Sequence, residues 1–288
     1  MILNPLYRLS LVLSLVVSLM SSPASAESIR IATGEWVPYV SESYPFQGAM
    51  GHIIQTIYER AGISTEFGYY PWTRGYQMSK EGIMDATMPY YCSPEREVFF
   101  YCSLPIVQGQ QVFFYRRDFQ FDWRTIDDLA GLNVGATLGY YYGEAFEKAE
   151  KDGLFKVYRV GKDETNFLVL SKNRIHIYPQ DKEVGYAMIR RLFSVEEQAE
   201  FTHHPVPLHT HSLHLIFPRN SARSQRLLTI FNAGLQKMRD SGELNHYLEA
   251  MSRGDYERGM VHIDKPAEAL RVQLKNVSDQ QSLTQEKQ

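Results

Sequence analysis

Arg96 follows Ser93-Pro94-Glu95, and Ser93 reads as a helix N-cap, which places Arg96 in the first helical turn. That end of a helix carries the positive end of the dipole, so it is a poor place for a cation without another task. Holding a ligand's carboxylate is one such task, because the planar guanidinium fork matches a carboxylate. A surface salt bridge is the alternative. Five aromatic residues, Trp36, Tyr39, Trp72, Tyr90 and Tyr91, could wall a pocket for an aromatic or cationic side chain, or fill core and surface in the ordinary way. Trp36 and Trp72 are the stronger candidates, since each stands in a loop or helix start after a strand, where α/β proteins hold ligands.

Other residues with chemical potential point less far. His203, His204, His209, His211 and His214 invite a zinc reading, and His209 and His211 share one strand face. No ordered carboxylate accompanies them, so no metal is expected. Cys92 and Cys102 form an isolated even pair, compatible with one disulfide or with two buried thiols. Gly135-x-x-x-Gly139 lacks the Gly-Lys-Ser/Thr ending of a phosphate loop. With no Gly-x-Ser-x-Gly elbow and no His-Glu-x-x-His, catalysis has no motif to stand on. The chain reads as a binding protein without a cofactor.

The elements that must position these residues alternate. Ile29–Ala32 reads as a strand, and Gly51–Ala61 as a helix with Ile53, Ile54, Ile57 and Tyr58 at helical spacing. Ser64–Tyr70 is a strand, Trp72–Glu81 a helix and Asp85–Pro89 a third strand. Gln111–Tyr115 is a strong apolar strand, after which the rhythm restarts. A short helix (Thr125–Ala130), a strand (Asn133–Ala136), a helix (Tyr141–Lys151) and a strand (Phe155–Val160) follow. A helix over Glu164–Leu170 and a strand over Arg174–Tyr178 complete that unit. Ser212–Phe217 is one more strand, and Ser224–Asp240 an amphipathic helix with Leu227, Leu228, Phe231, Leu235 and Met238 on one stripe. Strands and helices in this rhythm predict α/β domains with largely parallel sheets.

The ends bound the compartment. Arg8, an apolar run over Leu9–Met20 and the Ala24-Ser25-Ala26 ending read as a secretory signal peptide cleaved before Glu27. The apolar run is too short for a comfortable membrane span. Removing the first 26 of 288 residues leaves 262, room for two ordinary domains. It also removes one basic residue and no acid, moving the formal charge from −3 to about −4. No basic block argues for nucleic acid as a partner. The polar tail from residue 256 to 288 reads as disordered. A periplasmic monomer is expected.

In order along the chain, several short motifs resemble those of family 3 extracellular solute-binding proteins, the polar amino acid receptors of ABC importers. Ile29–Tyr39 is similar to their opening strand and aromatic-proline loop. Ser93-Pro94-Glu95-Arg96 matches their Thr-Pro-Glu-Arg helix start, and Tyr101–Pro105 stands where they carry Asp-Phe-Ser-x-Pro. Ile126–Gly135 resembles their Leu-Asp-Asp-Leu-Lys-Gly-Lys-x-Val-Gly segment, and Met238–Leu244 their Leu-x-x-Asp-Gly-x-Tyr helix end. The similarity runs from about Ile29 to Tyr247.

The resemblance implies a type II periplasmic binding fold of two α/β lobes joined by two hinge crossovers and closing on ligand. Lobe one would comprise residues 27–108 plus 211–255, and lobe two residues 109–210. Position by position, it assigns Arg96 to a ligand α-carboxylate and Asp181 to an α-ammonium. Trp36 would pack on the ligand's side chain, while Trp72 and Tyr90 are expected to line the cleft from their aromatic chemistry alone. Thr137, Tyr140 and Tyr141 would bring a helix start to the carboxylate. Pro89 and Tyr90 replace small residues usual there, and His176 replaces an acid. The expected function is capture of a small zwitterion, an amino acid, for an inner-membrane ABC permease. The rival readings are a ligand-sensing module for a signalling partner and a lyase on the same fold.

Overall fold

The structure, a computed structural model, describes residues 27–259; the expected signal peptide and most of the expected tail lie outside them. The chain opens with β1 (Ser28–Thr33), α1 (Gly48–Arg60), β2 (Ser64–Tyr69), α2 (Trp72–Lys80), β3 (Ala86–Tyr90), α3 (Pro94–Glu97) and β4 (Phe100–Cys102). The long strand β5 (Val107–Arg116) leads to β6 (Asn133–Thr137), α4 (Glu144–Lys151), β7 (Lys156–Val160), α5 (Asp163–Leu170) and β8 (Ile177–Asp181). Next come α6 (Lys182–Leu192), α7 (Val195–Gln198) and β9 (Phe201–His203). A second long strand, β10 (His209–Pro218), returns the chain to α8 (Ser224–Asp240) and α9 (Glu243–Ser252).

The strand order is β2-β1-β3-β10-β5-β8-β6-β7. Within each lobe the βαβ units pair in parallel: β1 with β2 and β3, and β6 with β7 and β8. The antiparallel pairings belong to the two long strands. β10 pairs with β3 and β4 through its C-terminal half, and with β5 through its N-terminal half, from His209 opposite Gln111 to Leu213 opposite Val107. β5 then pairs with β8 and β9. β10 therefore carries pairings of both lobes, whereas β5 pairs, among the described residues, only with β10, β8 and β9. The expected lobe boundaries at residues 109 and 211 fall inside β5 and β10.

Side-chain alternation sends neighbouring residues to different cores. In lobe one, α1, α8 and α9 cover a sheet whose Ile31, Leu215 and Phe217 pack with Ile53 and Phe231. In lobe two, Phe113 of β5 joins Trp123, Phe146 and Ile177, whereas its neighbour Phe114 joins Phe167, Tyr178 and Ile189 on the other face. The α8 stripe buries Leu227, Phe231, Leu235 and Met238, each contributing about 1.5–3 kcal/mol. Leu228, at its edge, is only partly buried.

Four readings need correction. The strand expected over Arg174–Tyr178 runs instead from Ile177 to Asp181. Asn173 adopts a left-handed turn (φ 54°), which delays the strand, and Pro179 sits within it rather than ending it. α6 had no counterpart in the sequence reading. The helix expected from Tyr141 starts at Glu144, with Gly143 at its N-cap, so Tyr140 and Tyr141 lie in the preceding loop. Finally, the packed body passes the expected boundary at 255. Tyr256 is buried, its ring standing edge-on to His52, and Glu257 forms an ion pair with Arg190.

Candidate functional site

The two lobes enclose a cavity of about 500 Å³. Lobe one contributes the β1–α1 loop, with Glu35, Trp36 and Val37, and Tyr44. This loop is pinned where Trp36 and Val40 exchange backbone hydrogen bonds of 3.0 and 3.1 Å. Lobe two contributes Tyr140, Asp163 and Glu164, and the α6 face with Val184, Ala187, Met188, Arg190 and Arg191. Glu257 closes one side. Two of the acids are neutralised, Glu164 by Arg191 at 2.6 Å and Glu257 by Arg190.

Asp163 is the hub of a hydroxyl network. Asn166 Nδ2 donates to Thr137 Oγ1 and Gln180 Nε2 to the Tyr178 hydroxyl. Each hydroxyl, having accepted an amide proton, donates its own to Asp163 Oδ1. The Tyr140 hydroxyl donates to Asp163 Oδ2 at 2.9 Å. Burial first, and then the charge of Asp163, push the Tyr140 and Tyr178 hydroxyls far above their ordinary pKa, so both remain donors. Thr137, expected to touch ligand, is thus buried and spent inside this network. The Tyr140 backbone N–H, expected to face a carboxylate, donates to Thr137 O.

Arg96 makes no ion pair among the described residues. One N–H donates to Tyr91 O at 2.8 Å, and the guanidinium lies 5.0 Å from the centre of the Tyr90 ring. The remaining donors are uncommitted, as a carboxylate receptor requires. A disulfide joins Cys92 to Cys102, with Cα atoms 6.2 Å apart. It closes the base of the loop that carries Arg96. Trp72 packs flat on Gly34, where a Cβ would come within 2.8 Å of its ring, and stands edge-on to Tyr90. Neither Trp72 nor Tyr90 lines the cavity. Tyr141, 68% exposed, borders a separate cavity with Trp123, Phe146 and Pro207.

Asp181 ends β8 and caps α6, accepting the backbone N–H groups of Glu183 and Val184 at 3.0 and 3.1 Å. The Tyr39 hydroxyl reaches across from lobe one and donates to the same carboxylate at 2.9 Å. Burial, reinforced by the Asp181 charge, holds the Tyr39 pKa well above its ordinary value, so Tyr39 stays a donor. His211 Nε2 lies 3.2 Å from Oδ2, although not aligned as a hydrogen bond. An ammonium reaches Asp181 only by displacing one of these partners. Tyr91, stacked obliquely on His211, feels both Asp181 and Arg96. Burial first, then Asp181, pushes its pKa up to about 12 against the pull of Arg96.

The sequence reading missed Asp163, Glu35 and the Tyr39–Asp181–His211 cluster. Asp163 had a readable sign, an acid in the first turn of a helix, but the helix expected at Glu164 left it in the turn. The histidines disperse: His203 bonds Tyr186, His204 bonds Asp122 and His214 bonds Ser103 O.

No helix among the described residues is long and apolar enough to cross a membrane. No curated protein matches the chain. Substrate-binding domain 2 of Lactococcus lactis GlnP, in open conformation, superposes with a TM-score of 0.63 at 17% identity, covering 80% of this chain and 97% of that one. The GluR0 ligand-binding core from Nostoc punctiforme, in complex with L-glutamate, superposes at 0.56 with 21% identity, covering 77% and 98%. A histidine kinase sensor domain similar to periplasmic binding proteins gives 0.58 at 16%, covering 78% and 95%. These likenesses establish the type II periplasmic binding fold. The sequence model for bacterial extracellular solute-binding proteins, family 3, matches residues 29–251, and the chain belongs to that family.

Proposed function

We propose that this protein captures a small zwitterionic solute, an amino acid, between its lobes and delivers it to an inner-membrane ABC permease. The observation that carries this reading is complementary vacancy of charge: Arg96 has no carboxylate partner, while the interlobe cavity holds carboxylates without a cationic partner. Arg96 does not line that cavity, so a solute bearing both charges satisfies both when lobe closure brings them together. Trp36 and Tyr140, one from each lobe, supply ring faces for its apolar part. The chain acts in the periplasm after cleavage before Glu27, a residue anchored to the body by Arg223 and Arg226. N-terminal sequencing of periplasmic material tests the cleavage.

Ligand is sought by a thermal-shift screen of refolded, ligand-stripped protein against amino acids; ligand at 100 times its Kd adds about 2.7 kcal/mol. Calorimetry with Arg96→Ala then tests the site. Leaving a ligand carboxylate without its guanidinium costs about 2–5 kcal/mol, so affinity falls roughly thirtyfold to several thousandfold. Binding within a factor of three of wild type overturns the zwitterion reading. Signalling is the second reading, supported by the shared fold of the kinase sensor domain. Transport predicts binding of the loaded protein to a permease, and signalling binding to a sensor.

A further inference from the structure

Arg190, near the C-terminal end of α6, has all three guanidinium nitrogens engaged. Nε and Nη2 donate to the two oxygens of Glu257 at 3.1 and 2.5 Å, and Nη1 donates to Ser252 O at 3.1 Å. The two side chains are only 19% and 17% exposed, so this forked pair is less screened by salt than a surface ion pair. Ser252 Oγ also donates to Glu183 Oε2, in the first turn of α6, at 2.8 Å. α6 itself rests on lobe two through Ile189, in the core with Phe114 and Tyr178. Its partners here come from the end of lobe one.

The segment that supplies them is built for the contact. Tyr256 anchors it to lobe one, with a buried ring and a hydroxyl 3.1 Å from His52 Nδ1 of α1. Asp255 receives Arg253 and Arg258 at 2.8 and 2.7 Å, which fixes the turn. Gly254 is left-handed (φ 76°), and a Cβ there would come within 2.8 Å of Arg190 Nε. Only glycine lets the backbone pass so close to the guanidinium. The family match ends at residue 251, just before this segment begins.

We infer that Ser252–Glu257 is a strap between the lobes, in which Arg190 and Glu257 are positioning residues that limit how far the cleft opens without solute. α6 is thus tied to lobe one at both ends, by Tyr39 on its N-cap Asp181 and by the strap at Arg190. Arg190 and Glu257 both line the interlobe cavity, so the strap also holds one wall of it in place while the lobes move.

The test measures the distance between lobes in ligand-stripped protein. Spin labels go on Glu42→Cys and Lys162→Cys, both exposed, two residues from Tyr44 and one from Asp163 on opposite walls of the cavity. The native cysteines are bridged and take no label. Double electron–electron resonance should give wild type one narrow distribution. In Glu257→Gln, which keeps the shape and loses the charge, the ratio of long to short distances should rise about tenfold, the lower value for one hydrogen bond to a charged group. Arg190→Gln, which also gives up Ser252 O, should open the cleft at least as far. The double variant should open no further than Arg190→Gln, because both changes break one pair. If both single variants, folded by circular dichroism, keep the wild-type distribution, the inference is overturned. A wild-type distribution already as broad as theirs overturns it too, and so does a double variant whose opening is the sum of the two. Should one single variant fail to fold, the other decides by the same comparison. No solute is added, so these outcomes are independent of the zwitterion reading, which Arg96→Ala tests.

Discussion

Removing one oxygen atom from Tyr39 should loosen the two lobes without unfolding either. The Tyr39 hydroxyl and the Asp181 carboxylate are both buried, 0% and 4% exposed, and they join residues 142 positions apart, one from each lobe. A hydrogen bond to a charged group contributes about 1.5–3 kcal/mol. In Tyr39→Phe, Asp181 keeps the backbone N–H groups of Glu183 and Val184, so the carboxylate is not orphaned and the cost should lie near the lower figure. The ring stays in place, so no large cavity opens. About 1.5 kcal/mol is a little more than tenfold in an equilibrium constant, and it acts on the contact between lobes. A double-mutant cycle with Asp181→Ala isolates the bond, because the cost of losing the α6 N-cap falls in both Asp181 variants and cancels. Equilibrium denaturation of the ligand-free protein should give a coupling of about 1–2 kcal/mol, and small-angle scattering a larger radius of gyration for Tyr39→Phe. A coupling below about 0.5 kcal/mol, with scattering unchanged, would mean that the two lobes are not tied at this point in solution.

Reduction, or the Cys92→Ser/Cys102→Ser pair, should lower stability by about 2–3 kcal/mol, the value for a short closed loop. Denaturation with and without reductant measures it, and native alkylation of both thiols without reduction refutes the bridge. His214 is buried, with Nδ1 donating to Ser103 O at 2.7 Å; burial, helped by nearby Arg239, lowers its pKa. Below the ordinary histidine value of about 6.5 the unfolded chain then takes up a proton that the folded chain refuses. Stability should therefore be full above that pH and fall as pH drops through it toward the lower folded value. His214→Gln, which can still donate to Ser103 O, should flatten the fall between pH 7 and pH 5. His203 and His209, also lowered by burial, will keep part of the slope, and an unchanged slope removes His214 from the account.

Periodicity and local motifs belong to the sequence, and where they act alone they were readable. The amphipathic stripe from Leu227 to Met238 marked α8 from end to end, and the ordered short motifs from Ile29 to Tyr247 carried the family before any contact was known. Both signals lie within a few residues of each other along the chain, the distance over which a helix or turn is decided. Asp181 is different. Its position after Tyr178-Pro179-Gln180 suggested a ligand aspartate, but its partners are Tyr39 and His211, brought to it by the crossing of β5 and β10. Asp163 is the converse case, a residue that looks like an ordinary first-turn acid until β6, β8 and the loop before α4 deliver Thr137, Tyr178 and Tyr140 to it. Which carboxylate is already satisfied and which remains uncompensated depends on hydrogen bonds between residues far apart in sequence. No local spacing encodes them, so the tertiary structure alone decided them.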